Sequence, residues 1–264
     1  MIKCTGCGFV MTSPRPDDEH LGNYYLSEAY ISHSNNSKSL LDLVYRLSRR
    51  FTLSWKYNLV RAYSEPETSK INLLDFGCGT GDFLKECKRK GLQISGVEPS
   101  EIARTQAVAN TGATIASHIE AINNKFTSIT LWHVLEHVSA LNETLHQLKA
   151  ALAENGTMFI AVPNLHSLEA KNYHANWAAY DVPRHLWHFT KNTMELLLAR
   201  HKLKLTTILP MKLDAYYVSL LSEKYKRGNT NVSGIVKAIA QGWQSNRHAR
   251  TTNEFSSLIY IARK

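Results

Sequence analysis

The sequence predicts an α/β fold: a mostly parallel seven-stranded sheet with helices on both faces, an N-terminal helical extension and a helical insertion before the last strand. Three observations lead there. Short apolar runs alternate with helical stretches over residues 71–209. The first run ends in a glycine-rich turn that opens a helix. A chain of 264 residues, 44% of them hydrophobic, has the apolar surface for one large core.

Residues 71–75 form the first strand, and the helix after the turn runs to about Lys90. Gln93–Val97 is the second strand, and Ser100 caps a helix reaching about Asn110. Residues 113–116 and Phe126–Trp132 are the third and fourth strands. Leu141, Leu145, Leu148 and Leu152 share one helical face, which Asn155-Gly156 ends. Residues 157–162 form the fifth strand, stopped by Pro163. Residues 163–190, rich in His and aromatics, read as a loop. Thr190 then caps a helix, and residues 203–209 and 257–262 are the last two strands. The distance between those strands marks residues 211–254 as an insertion.

The formal charge of +9 reflects 31 Lys and Arg against 22 Asp and Glu. It is concentrated in residues 38–63, where Asp42 is the lone acid, and in residues 211–250, which hold Asp214 and Glu223. The first segment reads as an amphipathic helix with Leu40, Leu41, Val44, Leu47 and Phe51 near one side. Its charge leaves peripheral membrane contact open. No reader module accompanies the charge, which argues against a nucleic-acid partner. Cys4, Cys7, Cys78 and Cys87 show no disulfide framework, and no long apolar stretch opens the chain, so a cytoplasmic protein is expected.

A strand ending in closely spaced glycines turns backbone N–H groups toward a ligand. Here Gly77, Gly79 and Gly81 bracket Cys78 and Thr80, and Asp82 stands where a dinucleotide fingerprint has its third glycine. A pyrophosphate at that helix start would meet a carboxylate, and no Gly-Lys-Ser/Thr follows for a phosphate loop. Asp75 and Asp82 instead favour a cationic ligand. S-adenosyl-L-methionine carries a sulfonium and an ammonium group and no phosphate. Glu98, 21 residues after Gly77, is placed to accept hydrogen bonds from ribose hydroxyls.

LLDFGCGTGDFL, GVEPS, LWHVLEHV and NGTMFIAVPN resemble motifs of the class I S-adenosylmethionine-dependent methyltransferases. The narrower likeness is to the branch of ubiquinone-pathway O-methyltransferases and deoxysugar C-methyltransferases. That resemblance implies a Rossmann-like sheet with an antiparallel last strand, and methyl transfer to an oxygen or carbon of a small-molecule acceptor. Besides Asp75, the glycines, Cys78, Glu98 and Pro99, it implies His118 and Ile119 near the adenine, and Trp132 and His133 near the methionine end. It also makes Cys4-Thr5-Gly6-Cys7 the remnant of a zinc-ribbon-like segment over residues 1–37, ahead of a catalytic domain over 38–264. Rivals are an RNA or DNA methyltransferase and a non-catalytic cofactor-binding module. The absence of an NPPY-like or paired-cysteine motif argues against the first, and the intact acids and glycines against the second.

His133-Val134-Leu135-Glu136-His137 spells an inverted zinc-protease signature. That chemistry needs one continuous helix, whereas the motif straddles a strand end, so no metal is assigned. His137 and Glu136 read as a hydrogen-bonded helix start. By resemblance His185, in DVPRHLWHF, lies beside the acceptor. Methyl transfer to a hydroxyl or carbon acid needs a base near neutrality, which His185 supplies. His133 and Tyr180 are further catalytic candidates, and Tyr216, Tyr217 and Trp243 are expected to line the acceptor pocket.

Overall fold

The computed structural model describes residues 1–25, 40–64, 71–229 and 231–264. Strands β1 (Ile2–Lys3) and β2 (Val10–Met11) form a hairpin, followed by a one-turn helix α1 (Asp18–Leu21). Helix α2 (Leu40–Tyr63) leads to β3 (Asn72–Phe76), α3 (Asp82–Arg89), β4 (Gln93–Val97), α4 (Glu101–Thr111) and β5 (Ile115–Ala116). The chain then returns through β6 (Phe126–Trp132), α5 (Leu141–Ala151) and β7 (Leu152–Pro163). Helix α6 (Leu168–Tyr173), β8 (Trp187–His188), α7 (Lys191–Arg200), β9 (Lys204–Pro210), α8 (Asp214–Arg227), α9 (Val232–Thr252) and β10 (Ser257–Arg263) complete it.

Among the described residues the main sheet has the order β5-β4-β3-β6-β7-β10-β9, with β10 antiparallel to both neighbours and β3, β4, β5, β6 and β7 parallel. Helices can cover both faces because successive side chains alternate between them. Leu74, Met158, Ile160, Leu258 and Tyr260 face the core beneath α5 and α7. Leu73, Phe159, Ala161, Ile259 and Ile261 face the core beneath α2 and α3. The chain leaves β3 toward β4 on one side and leaves β6 toward β7 on the other. That reversal opens a crevice at the carboxyl ends of β3 and β6.

Three expectations change. Helix α5 ends at Ala151, four residues before Asn155-Gly156, because Leu152 pairs with Phe126 in the sheet. Asn155-Gly156 instead lies in an irregular stretch of β7, where a Cβ on Gly156 would approach Leu152 Cδ1 to 2.7 Å. Residues 163–190 are not a plain loop: Ser167 caps α6 by accepting from the Ala170 amide, and Tyr173 and Trp177 bury against Val218 of α8. The helix expected over 38–63 is α2, but the side chains of Leu40, Leu41, Val44 and Leu47 lie outside the described residues. Phe51 is 65% exposed, and Leu59 and Val60 carry the buried face.

The N-terminal hairpin is docked rather than free. Val10 pairs with His188 and Met11 with Trp187, and the Thr12 hydroxyl donates to the His185 carbonyl. Phe9 meets Trp187 and Phe189 edge-on at 5.6 and 5.5 Å. Phe9→Ala is expected to lower unfolding stability by about 2 kcal/mol in urea titrations, about half the value for a fully buried phenylalanine. An unchanged midpoint would show that the hairpin contributes no packing to residues 185–189.

Candidate active site

The turn after β3 is fixed to the end of β4. The Gly77 and Cys78 amides both donate to the Val97 carbonyl, at 2.8 and 3.0 Å. Gly77 and Gly79 differ in what they require. Gly77 has φ +75°, and a Cβ there would fall 2.5 Å from Val134 Cγ2. Gly79 has φ +54°, yet a Cβ there would meet nothing within 4 Å. The first glycine is demanded by packing; the second leaves an open cradle. Gly81, with φ +79°, starts α3, and Cys78 is a buried thiol that Gly96 faces.

Two buried carboxylates border this cradle. Glu98 Oε2 accepts from the Gly79 amide at 2.8 Å and Oε1 from the Ser100 amide at 2.9 Å, so each oxygen retains a further lone pair. The Glu98 and Pro99 carbonyls both accept from Arg104. Asp75 is 3% exposed, and its Oδ1 accepts from the Thr130 hydroxyl at 2.7 Å. Burial pushes its carboxyl up to about 7, against the opposing pull of Thr130 and Lys56. Asp82 accepts from the Thr80 hydroxyl. A ring of acidic acceptors with a gap at Gly79 fits a cation with a ribose and does not fit a phosphate.

Lys56, from α2, sits with its ammonium 4.5 Å from the centre of the Trp132 ring. Burial lowers its pKa, opposed by the charges of Asp75 and Asp214. Trp132 meets Phe83 edge-on, and its buried Nε1 has no hydrogen-bond partner. Of the two residues expected at the adenine, His118 is exposed and bonded to Ser117, while the Ile119 side chain belongs to the core.

A second group of side chains gathers just beyond β6. His133 has φ +57°, which breaks the chain before the three-residue turn Leu135–His137. The inverted protease signature therefore does not lie on one helix. His133 Nε2 lies 3.0 Å from Asp214 Oδ2, and Nδ1 lies 3.3 Å from Glu136 Oε1. Burial opposes the charged imidazole, but Asp214 and Glu136 outweigh it and raise His133 to about 10. The two carboxylates thus favour the protonated ring, which suits His133 to a fixed charge more than to a base. Its carboxylate partner Glu136 is fully buried and is held by the His133 ring.

His185 lies against this group, its ring 4.5 Å from that of His137. Its Nδ1 donates to the Ala179 carbonyl at 2.9 Å, and Nε2 lies 3.7 Å from Asp181 Oδ2. Tyr180 is farther off, stacked edge-on against Trp177 and His188. Asp181 is paired chiefly with Arg184, at 2.6 Å.

An apolar cavity of ≈ 650 Å³ lies between α2 and the start of α8, lined by Trp55, Leu59, Tyr63, Met211, Leu213 and Asp214 among others. Tyr216, Tyr217 and Trp243, expected in the acceptor pocket, are not among its walls; Tyr217 and Trp243 are mostly exposed, and Tyr216 packs against Gly242. Asp214 joins this cavity to His133. Asp214, Lys56 and Thr130 escaped the sequence reading because their positions depend on contacts between elements far apart in the chain.

A mostly parallel sheet with a glycine turn and two acids at its switch point fits an S-adenosylmethionine-dependent methyltransferase. The profile of the methyltransferase domain family matches residues 47–208, and the chain belongs to that family. The ubiquinone biosynthesis O-methyltransferase of Pelagibacter ubique is 27% identical over 203 residues, spanning 70% of this chain and 82% of that protein. Its counterpart in Haemophilus ducreyi is 30% identical over 107 residues, 35% of this chain and 45% of that one. Among solved structures, magnesium protoporphyrin IX methyltransferase from Synechocystis PCC 6803 with bound SAH has a TM-score of 0.61 at 12% identity, over 94% of this chain and all of that one. Geranyl diphosphate C-methyltransferase from Streptomyces coelicolor A3(2) has a TM-score of 0.56 at 14% identity, over 90% and 88%. These two likenesses establish the shared fold.

The two glycines separate by measurement. Gly77→Ala should cost about 2–3 kcal/mol of stability, because strain and overpacking coincide. Gly79→Ala should cost about 1 kcal/mol, with the larger loss in cofactor affinity. Thermal melting and calorimetry with S-adenosylmethionine read the two effects; equal stability losses would contradict the assignment.

Proposed function

We propose that Asp75, Gly77, Cys78, Gly79, Gly81, Glu98 and Pro99 hold S-adenosyl-L-methionine, and that the acceptor is an apolar-bodied small molecule whose reacting oxygen faces the His185 group. The carrying observation is the pair of buried carboxylates, Asp75 and Glu98, bordering the open cradle at Gly79. Glu98 is the ribose acceptor and Asp75 the counter-charge. When bound, the cofactor supplies a methyl group already activated on sulfur, so the protein chiefly aligns the acceptor and manages its proton.

The apolar cavity beside Asp214 suits the body of such an acceptor. His185 Nδ1 donates to the Ala179 carbonyl, which leaves Nε2, 3.7 Å from Asp181 Oδ2, as the other ring nitrogen. Proton removal from the acceptor is therefore assigned to the His185 group, with His133 as a fixed positive charge beside it and Tyr180 as a packing neighbour. The Pelagibacter ubique relative is an O-methyltransferase of ubiquinone biosynthesis, and this supports oxygen over carbon as the methylated atom. The docked hairpin, with Cys4 and Cys7 at its exposed turn, is read as the remnant of a zinc-ribbon-like segment. No described helix is long and apolar enough to cross a membrane.

Glu98→Ala should weaken S-adenosylmethionine binding by at least about 100-fold in calorimetry, the scale of lost charge-assisted hydrogen bonds in a buried site. His185→Ala should bind the cofactor normally and lose turnover by about 100-fold or more against a hydroxylated aromatic acceptor series. Full cofactor affinity in the first variant, or full turnover in the second, would contradict the respective assignment.

A further inference from the structure

Helix α9 is built inside out. Its buried positions are Gly234, Ala238, Gly242, Ser245 and Ala249, all small residues. Val232, Val236, Ile239 and Trp243 stand 78%, 61%, 56% and 57% exposed on the far side. A helix on a globular domain ordinarily turns its branched and aromatic residues inward. The small inner face has a packing reason. A Cβ on Gly242 would fall 2.6 Å from the Tyr216 ring of α8, and the Ser245 hydroxyl donates to the buried Glu169 carboxylate at 2.6 Å. None of the four outer residues lines the apolar cavity. A contiguous exposed apolar ridge of this kind marks an interaction surface. We propose that the outer ridge of α9 docks an acidic amphipathic helix of a partner protein.

Two features select that occupant. The first is spacing. The ridge residues recur at intervals of four, three and four, which keeps them within an arc of about 60° around the helix. Exposed polar residues, Ser233 and Gln244, border them. A seam this narrow is what one helix presents to another when side chains pack as knobs into holes. Binding to a bilayer surface scales instead with the apolar area a helix can bury, and this ridge offers little breadth. Its length, roughly 16 Å, matches three turns of a partner helix.

The second feature is charge. Residues 231–252 contain no acid, and the exposed side chains of Lys237, Arg247 and Arg250 have no carboxylate partner among the described residues. Arg247 lies 5.4 Å from the centre of the Trp243 ring, which brings its charge to the end of the ridge. On α8 the exposed Lys224 and Lys226 add to the excess. The two acids of that helix are already engaged, Asp214 with His133 and Glu223 with Arg227. Two copies of such a face repel each other, whereas a helix with acids flanking its own apolar seam pairs with it.

The test places benzoylphenylalanine, a photo-crosslinking residue, at position 236 or at position 243 of the full chain expressed in its native host. A third sample carries it at position 102, where Ile102 is 62% exposed on α4. Mass spectrometry of the products reads which residues are joined. The expected result is another protein joined through an acidic helical segment from both α9 positions and absent from position 102. The purified partner should then bind the chain with an affinity that falls by about 10-fold or more in high salt. Ile239→Glu should weaken that binding by at least about 100-fold and Arg247→Gln by about 5-fold. Melting temperature and S-adenosylmethionine affinity should stay unchanged in both variants. Crosslinks to a second copy of this chain, to lipid, or to a partner through a basic or non-helical segment would overturn the proposal, as would no product from α9. Flotation with phosphatidylglycerol vesicles that Ile239→Glu abolishes would assign the ridge to a membrane and overturn it as well.

Discussion

The carboxylate of Asp75, buried at the end of the central strand and held by the Thr130 hydroxyl, sets the electrostatics around which the site is built. An ionised carboxylate in that position is unfavourable without a cation. Lys56 approaches from α2 and partly answers the charge from over the Trp132 ring. A ligand bearing its own positive charge answers it better, and the open cradle at Gly79 lies beside the same turn. In the proposed reading, the buried charge favours a cationic cofactor and the glycine turn gives it access.

The other half of the site is held in place by contacts far apart in sequence. Thr12 of the N-terminal hairpin bonds the His185 carbonyl and the His188 ring, and the Leu186 amide donates to the Glu136 carbonyl. The segment carrying His185 is thereby fastened both to the start of the chain and to the turn after β6. Asp214, at the head of α8, reaches across to His133. The glycine turn and Glu98 thus come from two neighbouring strands, whereas the His133 and His185 group is assembled from four separate pieces.

That difference explains what was legible in the sequence. The main sheet was readable because its strands are largely apolar and are punctuated by caps and glycines, which placed all seven of them; their order comes from the structure. Asp75 and the glycines lie in one turn, and pairing of β3 with β4 brings Glu98 to the Gly79 amide, so a strand-turn-helix-strand pattern is enough to place them together. The end of α5 was misplaced because Leu152 suits a helix face and a strand equally, and pairing with Phe126 decides it. Residues 163–190 read as a loop because their order comes from burial of Tyr173 and Trp177 under α8, which no local pattern encodes. Lys56, Thr130 and Asp214 carry no sequence signal at all: a basic residue on an amphipathic helix, a threonine in a strand and an acid in a basic segment are each unremarkable until the fold joins them.

Proton exchange on cofactor binding tests the electrostatic account most directly. At pH 6.5 Asp75, with its carboxyl pushed up to about 7, is mostly protonated in the free protein. A cation bound beside it lowers that value, so binding S-adenosylmethionine should release roughly half to one proton, read as the dependence of calorimetric heat on buffer ionisation enthalpy. The release should vanish in Asp75→Asn and shrink toward zero at pH 8.5 in the wild type. Binding with no proton release at pH 6.5, or the same release in Asp75→Asn, would contradict the account.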